Sequence, residues 1–401
     1  MTITKQTLSH ILPSDICGTA AQLINDRAFA PTGRVAEALE DWKCTPITIR
    51  PSCCVLPSRD EALIKKVLRN GTGVGISLAN HGAEKLSNCV ARLNNLAELA
   101  ECPTNRPPAF IYTLPWNDDR ACEFLQLKQN KNALYDDTMK RCNLSLVVSP
   151  QEINEFAKSD VGLCAAETIL QSGEPGIIFS TDPTQACAPC AELMMEPYES
   201  CTFGMVNLAA VLAENRQHIP EDVAAFAACF LDHTLDALHY DSNEMRIMCT
   251  TKRRIGVGVV GWATALQQCF EEPVPYQSKR ALQLARDVSD RICKAAKNQS
   301  AGRNASVLSF PPTTATAQKL GVSYSIEPFM ENCTQISWRA HVSMLLAWQQ
   351  SGVDNGISKT VNVHGQARIP IVRRIWKKCA YGGAYGVAIF RPRCVGGKCS
   401  L

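Results

Sequence analysis

Gly173-Glu-Pro-Gly-Ile-Ile-Phe179 leads to Cys187-Ala-Pro-Cys190-Ala-Glu192 and then to Pro197-Tyr-Glu-Ser-Cys201-Thr-Phe-Gly-Met-Val-Asn-Leu208. Ile177–Phe179 reads as a short apolar strand. Cys187 and Cys190 form a CxxC, the spacing of a redox dithiol or of half a zinc site. No second CxxC or HxxxH accompanies it to complete four zinc ligands, so no metal site is expected. Glu192 follows Cys190 by two residues. If this segment is extended, the two side chains point the same way, because strand side chains alternate with period two. A thiol and a carboxylate facing one cavity suit radical or acid–base chemistry.

Outward from this stretch, short β-rich runs alternate with helical patterns. Strands are expected at Ile47–Arg50, Gly75–Leu78, Phe110–Thr113, Leu144–Val148, Val307–Phe310, Thr360–Val363 and Val387–Phe390. Helices are expected at Arg59–Arg69, Ala83–Ala100, Asp118–Leu127, Gln151–Lys158, Glu221–His239, Ser278–Asn298 and Gln335–Gln350. The first of these carries Asp60 and Glu61 in its opening turn and Lys65, Lys66 and Arg69 late, as the helix dipole favours. Such alternation over most of the chain predicts an α/β fold, either a barrel or a large open sheet.

Composition narrows the function classes. The chain has 401 residues, 46% hydrophobic and 20% charged, an ordinary globular balance. Lys and Arg number 41 against 38 Asp and Glu, so the net charge of +3 argues for neither nucleic acid nor an anionic membrane as partner. No apolar run is long enough to span a bilayer, and MTITKQTLSH lacks a signal-peptide core. A cytoplasmic protein with mostly reduced thiols is therefore expected. Most of its 20 cysteines, such as Cys89, Cys122, Cys164, Cys229 and Cys293, sit in helical apolar patterns and read as small buried hydrophobes.

Other motifs need weighing. Gly256-Val-Gly258-Val-Val-Gly261 spells GxGxxG, but Thr250-Thr-Lys-Arg-Arg254 precedes it where a nucleotide-binding unit needs an apolar strand. Close helix packing around these glycines is the expectation. Gly71-Thr-Gly73-Val-Gly75 lies between a helix and a strand, where backbone could approach a ligand. Thr313-Thr-Ala-Thr316 opens a helix-like run after an apolar strand, a natural phosphate cradle or simply a capped helix. Cys394-Val-Gly-Gly-Lys-Cys399 lies in a basic, Gly-bearing tail, and Arg391, Arg393 and Lys398 favour thiolate there.

Together these segments resemble the catalytic subunit of ribonucleotide reductases. GEPGIIF, PYESCTFGMVNL, RRIGVGVVGWATAL at Arg253–Leu266, PPTTATAQKLGVSYSIEP at Pro311–Pro328 and VDNGISKTVNV at Val353–Val363 are similar to the family's signatures. FIYTLPWNDDRACEFLQLKQN at Phe110–Asn130 resembles the segment leading to the specificity loop, and SCCVLPSRD at Ser52–Asp60 the first barrel strand. The matches run in family order from about Thr45 to the last residue.

The resemblance implies a ten-stranded α/β barrel threaded by a central finger loop. It implies a short N-terminal helical segment over 1–44, the catalytic barrel over 45–390 and a flexible redox-active tail over 391–401. Cys190 then tips the finger as the thiyl radical, and Glu192 is the carboxylate at the substrate 3′-hydroxyl. Cys201 is one reducing thiol; its partner is Cys53, with Cys54 the alternative. Ser52, Gly75 and Ala188 fall at substrate-contacting places, Thr313, Thr314, Ala315 and Thr316 at the phosphate loop, and Cys394 and Cys399 at the tail dithiol. Ribonucleotide substrate, a thioredoxin- or glutaredoxin-like reductant, a deoxynucleotide effector and a homodimer are the implied partners.

Departures from the family pattern carry expectations of their own. Ala188 stands where the family usually has Asn. The stretch between Gly75 and Pro108 is short, which reduces the dimer helices and effector loop, and the chain reads as a minimal version without a regulatory ATP-binding domain. Phe390 and Arg391 occupy the places of two adjacent radical-relaying tyrosines, with Tyr381 and Tyr385 nearby. Adenosylcobalamin is therefore the expected radical source, with a ferritin-like dimetal-carboxylate subunit as the alternative. Two other functions compete: a dithiol–disulfide oxidoreductase using Cys187 and Cys190, and a catalytically silent nucleotide-binding relative.

Overall fold

The computed structural model describes residues 3–40, 48–79, 82, 84–98, 109–128, 142–395 and 398–400. Residues 129 and 130, which end the segment leading to the specificity loop, lie outside them. So do Ile47 and parts of the helix expected over 83–100. In chain order the strands are β1 (Phe29–Pro31), β2 (Cys53–Val55), β3 (Gly73–Ser77), β4 (Phe110–Pro115), β5 (Cys142–Val148), β6 (Gly176–Phe179), β7 (Ala186–Cys187), β8 (Met194–Met195), β9 (Phe203–Asn207), β10 (Gly256–Val260), β11 (Thr360–Asn362), β12 (Gly386–Phe390), β13 (Arg393–Val395) and β14 (Lys398–Ser400).

The chain forms two compact units that interleave in sequence. One holds Met1–Ser52, Ser200–Cys333 and Ala347–Asn355; the other holds Cys53–Glu199, Thr334–Leu346 and Gly356–Leu401. The breaks at Ser52/Cys53 and Glu199/Ser200 fall inside the segment 45–390 expected to be one barrel.

The second unit is built on a seven-stranded sheet ordered β11-β12-β6-β5-β4-β3-β2. Strands β2 to β6 run parallel, β12 is antiparallel to β6, and β11 is parallel to β12. Such strands are buried on both faces, so they read as continuous apolar runs rather than alternating ones. Phe110-Ile-Tyr-Thr-Leu114 on β4 is buried throughout. The helix Glu61–Arg69 joins β2 to β3, buries Leu63, Ile64, Val67 and Leu68, and is capped by Asp60, whose side chain accepts from the Leu63 N–H (3.4 Å). Between β5 and β6 the helix Asp160–Ser172 starts at Ser159, whose side chain accepts from Gly162 N–H, and stops at Gly173. Gly173 has φ of 83°, the left-handed conformation that ends helices at low cost for glycine. The Gly-Glu-Pro-Gly before the Ile177–Phe179 run is thus a helix stop followed at once by a strand.

In the first unit β9 is central, with β1 antiparallel on one side and β10 parallel on the other. The helices Pro220–Ala237 and Lys279–Ser300 pack together. Here one expectation is corrected. Gly256–Val260 is a fully buried strand, not a site of helix packing. A Cβ on Gly256 would lie 2.3 Å from Phe203 Cδ1, and one on Gly258 would lie 3.0 Å from both Met205 Sδ and Pro311 Cδ. The glycines make room for side chains of β9, which pairs with β10. Among the described residues two expected strands shrink to isolated bridges: Ile49 pairs with Leu238, and in the Val307–Phe310 run residues 308 and 310 are bridged, Leu308 to Val257.

The seven-stranded and three-stranded sheets, with helices between strands, make the α/β class expected. Near the C-terminus β13 and β14 pair antiparallel, with Cys394 opposite Cys399. Among the described residues no helix is long and apolar enough to cross a membrane.

Candidate active site

The CxxC-containing stretch is a β-hairpin. β7 and β8 pair through Ala186 with Met195 and Cys187 with Met194. Ala188 N–H donates to Leu193 O (2.9 Å), and Ala191 N–H donates to Ala188 O (2.7 Å). Ala191 takes a left-handed φ of 58°. Residues 188–191 therefore turn, and the expectation that Cys190 and Glu192 share a side through strand alternation is corrected. Period two fails because a turn reverses the chain between them. The outcome is an asymmetric pair: Cys190 is exposed, while Glu192 is 2% exposed.

Three glycines seat this finger. A Cβ on Gly75 would sit 1.9 Å from Cys187 O; one on Gly73 would sit 2.8 Å from Pro189 Cγ; one on Gly356 would sit 2.7 Å from Glu192 O. Each position admits only a hydrogen because finger backbone or ring lies against it. The same Gly73 position is 3.4 Å from Cys53 Sγ. Cys53 is opposite Gly73 in the β2–β3 register, so its thiol shares the face of the sheet on which Pro189 rests. Cys54, next along β2, projects to the other face.

Cys187, the other thiol of the CxxC, is buried with Ile111, Ile178 and Met194. Burial pushes its pKa well above the ordinary thiol value, and the nearby Glu192 and Cys53 push it further. It is thus a neutral core thiol, unlike the exposed Cys190. Tyr385 packs against this same cluster, whereas Tyr381 is 64% exposed and accepts a hydrogen bond from Asn154 Nδ2 (2.5 Å). Asn143 on β5 also reaches the finger, donating from Nδ2 to Pro189 O (2.8 Å). Sequence reasoning missed Asn143, Gly73 as a seat and Gly356. Gly356 was visible only as part of the VDNGISKT signature, and a lone Asn on a strand carries no motif.

Other expected site residues lie in the first unit. Ser52 and Cys201 are buried. Ser200, beside Cys201, donates its N–H to Cys249 Sγ (3.2 Å), and its hydroxyl is 3.1 Å from the same sulfur. Cys249, which the sequence reading passed over, thus contacts the residue next to Cys201. Thr314, Ala315 and Thr316 form the first turn of the helix Thr314–Leu320, with Thr314 and Ala315 exposed and Thr316 half-buried. Their N–H groups precede the first intrahelical donor, Ala317 N–H, which bonds to Thr313 O (2.8 Å). Thr313 is buried at φ of 49°, and its hydroxyl accepts from Ser325 N–H (2.8 Å). A β-branched residue in that conformation is strained, so the turn ahead of the helix is held by tertiary contacts. Val55, two residues after Cys53, exchanges main-chain hydrogen bonds with the other end of the quoted stretch: its N–H donates to Glu199 O (2.9 Å) and its carbonyl accepts from Tyr198 N–H (2.7 Å).

Residues 165–303 match the family model of the ribonucleotide reductase barrel domain. The whole chain superposes on the class Id ribonucleotide reductase alpha subunit of Actinobacillus ureae with a TM-score of 0.78, covering 97% of this chain and 92% of that one at 13% identity. Residues 165–303 thus carry the ribonucleotide reductase barrel domain, in a chain with the fold of a reductase alpha subunit. Similarity in sequence is to vitamin B12-dependent ribonucleoside-diphosphate reductases. One from Mycobacterium tuberculosis (strain CDC 1551 / Oshkosh) is 32% identical over 191 residues, 39% of this chain and 27% of the relative. One from Thermoplasma acidophilum is 28% identical over 137 residues, 30% of this chain and 17% of the relative. The matches span about a quarter or less of those relatives' lengths. The stretch from 165 to 303 contains the finger, Cys201 and the β9–β10 pair of this reductase fold.

Proposed function

We propose that this chain reduces ribonucleotides to 2′-deoxyribonucleotides by thiyl-radical chemistry at Cys190. The observation that carries the reading is the asymmetry of the finger: an exposed Cys190 thiol at a hairpin tip, with a buried Glu192 two residues on. A thiyl radical at Cys190 takes the 3′ hydrogen, since S–H and the activated C–H bond have comparable strengths. Glu192, as general base, takes the 3′-hydroxyl proton, which helps water leave C2′. Cys53 and Cys201 then supply two hydrogens' worth of electrons and protons and end as a disulfide, and Cys190 returns its hydrogen to C3′, which regenerates the thiyl radical. Cys394 and Cys399 return that disulfide to the dithiol by thiol–disulfide exchange, and a thioredoxin-like protein resets the tail. Ser52, Gly75 and Ala188, with the Thr313–Thr316 turn, are the proposed substrate contacts.

Adenosylcobalamin is the proposed radical source. The accessible Cys190 thiol fits a bulky group docking over the finger tip, and the B12-dependent relatives support it. When bound, it supplies a carbon-centred radical able to take the Cys190 hydrogen. A second reading, a ferritin-like partner subunit, is favoured by one observation: Tyr385 packs against the buried cluster that includes Cys187 and Met194 of the finger. The deciding experiment is anaerobic turnover of a ribonucleoside di- or triphosphate with a small dithiol, with and without adenosylcobalamin. Deoxynucleotide formed only with the cofactor supports the first reading. Activity only with a dimetal-carboxylate protein moves the radical source to the second, and no activity in either arm rejects the reductase proposal.

A further inference from the structure

We infer that Asn143 is a positioning residue for Cys190, holding the finger tip through the carbonyl of Pro189; the inference deepens, and as a role in turnover rests on, the reductase reading. β5 is central in its sheet, between β4 and β6, and its burial is complete except at residue 143. An exposed side chain in such a strand faces open space rather than core. Its amide nitrogen, the only end of the group able to donate, lies 2.8 Å from Pro189 O.

That carbonyl belongs to the peptide linking Pro189 to Cys190. Fixing its oxygen fixes the plane of the peptide, and with it the direction in which the Cys190 side chain leaves the backbone. Gly73 sets the Pro189 ring from the other side, so the residue before the thiol is held at ring and carbonyl together.

The strand around Asn143 is itself clamped. Lys128 Nζ donates to Cys142 O and pairs with Glu174 Oε1 (2.6 Å), while Glu174 Oε2 accepts from Leu144 N–H (3.0 Å). The main chain on either side of Asn143 is thus held by one ion pair. This is the rigid support that a side chain needs if it is to place another group to within a fraction of an ångström.

Asn143→Ala removes the donor. Asn143→Asp keeps the size and sets a carboxylate against a carbonyl oxygen. The exposed position lets both variants fold, which their unchanged melting temperature checks. Two readouts need no reductase activity: the rate at which iodoacetamide labels Cys190 in the full chain, followed by peptide mass mapping, and amide hydrogen exchange at 188–192. Both should speed up in both variants, because the freed tip samples more open poses. Wild-type labelling and exchange in both variants would overturn the tether. Under turnover, kcat should fall roughly 10- to 100-fold with KM little changed, the signature of a misplaced reacting group. Faster labelling with an unchanged kcat would overturn the positioning role. Faster labelling in a chain whose wild type reduces no ribonucleotide would leave the tether standing and remove the reductase reading instead.

Discussion

Gly75 and Cys187 are in main-chain contact: an alanine Cβ at 75 would lie 1.9 Å from the Cys187 carbonyl oxygen. A flexible side chain could yield to such a clash, but here one rigid strand meets another. Gly75→Ala should push the finger off β3, cost about 1–3 kcal/mol of stability and abolish turnover. Gly33→Ala is the control, because a Cβ there meets only Glu37 Oε1 at 3.9 Å. Denaturant melts and turnover assays of the two variants check this; equal behaviour would refute the seat.

The two thiols of the CxxC should behave oppositely. Cys187 is buried and its pKa is raised well above the ordinary thiol value, so at pH 8 it carries almost no thiolate. Cys190 is exposed. Brief iodoacetamide treatment of the native chain at pH 8, followed by peptide mapping, should modify Cys190 and spare Cys187. Because Cys187 is raised, increasing the pH can only begin to expose it to reaction, never protect it. Equal labelling of the pair would mean the hairpin opens in solution, and it would revive the dithiol oxidoreductase alternative.

Cys190→Ser should eliminate ribonucleotide reduction while leaving the fold intact, because an O–H bond is too strong to yield a useful radical. Circular dichroism and substrate binding should match wild type. Turnover above background in this variant rejects the radical assignment.

Cys53 and Cys54 should separate cleanly. The Cys53 thiol lies on the finger-facing side of β2 and Cys54 on the opposite face. Cys53→Ser should stop dithiol-driven turnover, and Cys54→Ser should only perturb packing. Peptide mapping after one turnover should recover a Cys53–Cys201 disulfide; a Cys54–Cys201 bridge would assign the reductant role to the wrong face.

The tail register makes its own prediction. Residues directly opposite in an antiparallel pair have Cα atoms about 4.5–5.5 Å apart, within the range a disulfide spans. Cys394 and Cys399 are so opposed. Replacing both by Ser should leave one turnover per site from the pre-reduced chain and block the steady state with thioredoxin. Wild-type steady-state rates would remove the tail from the cycle.

Much of the α/β class was legible in the order of the residues. Parallel strands such as Phe110–Pro115 are continuous apolar runs, and the helix Glu61–Arg69 carries its own cap and charge gradient. These signals are local, so sequence carries them. The GxGxxG stretch misled for the converse reason. Whether Gly256 and Gly258 pack against helices or against Phe203 and Met205 depends on a neighbouring strand some fifty residues away in the chain, which no local pattern encodes.

The sequence by itself determined which residues are candidates for chemistry: the spacing of Cys190 and Glu192, the presence of Cys53 and Cys201, and an order of segments that resembles the reductase family. Only the tertiary structure decided how those residues are presented. Strand alternation would have placed Cys190 and Glu192 side by side; the turn at Ala191 instead exposes the thiol and buries the carboxylate. Gly73, Gly75 and Gly356 look interchangeable as letters, yet each meets a different part of the finger, and Asn143 acquires a partner 46 residues later in the chain. A thiol's environment is set by what packs around it through space, and that packing is made by segments distant in sequence.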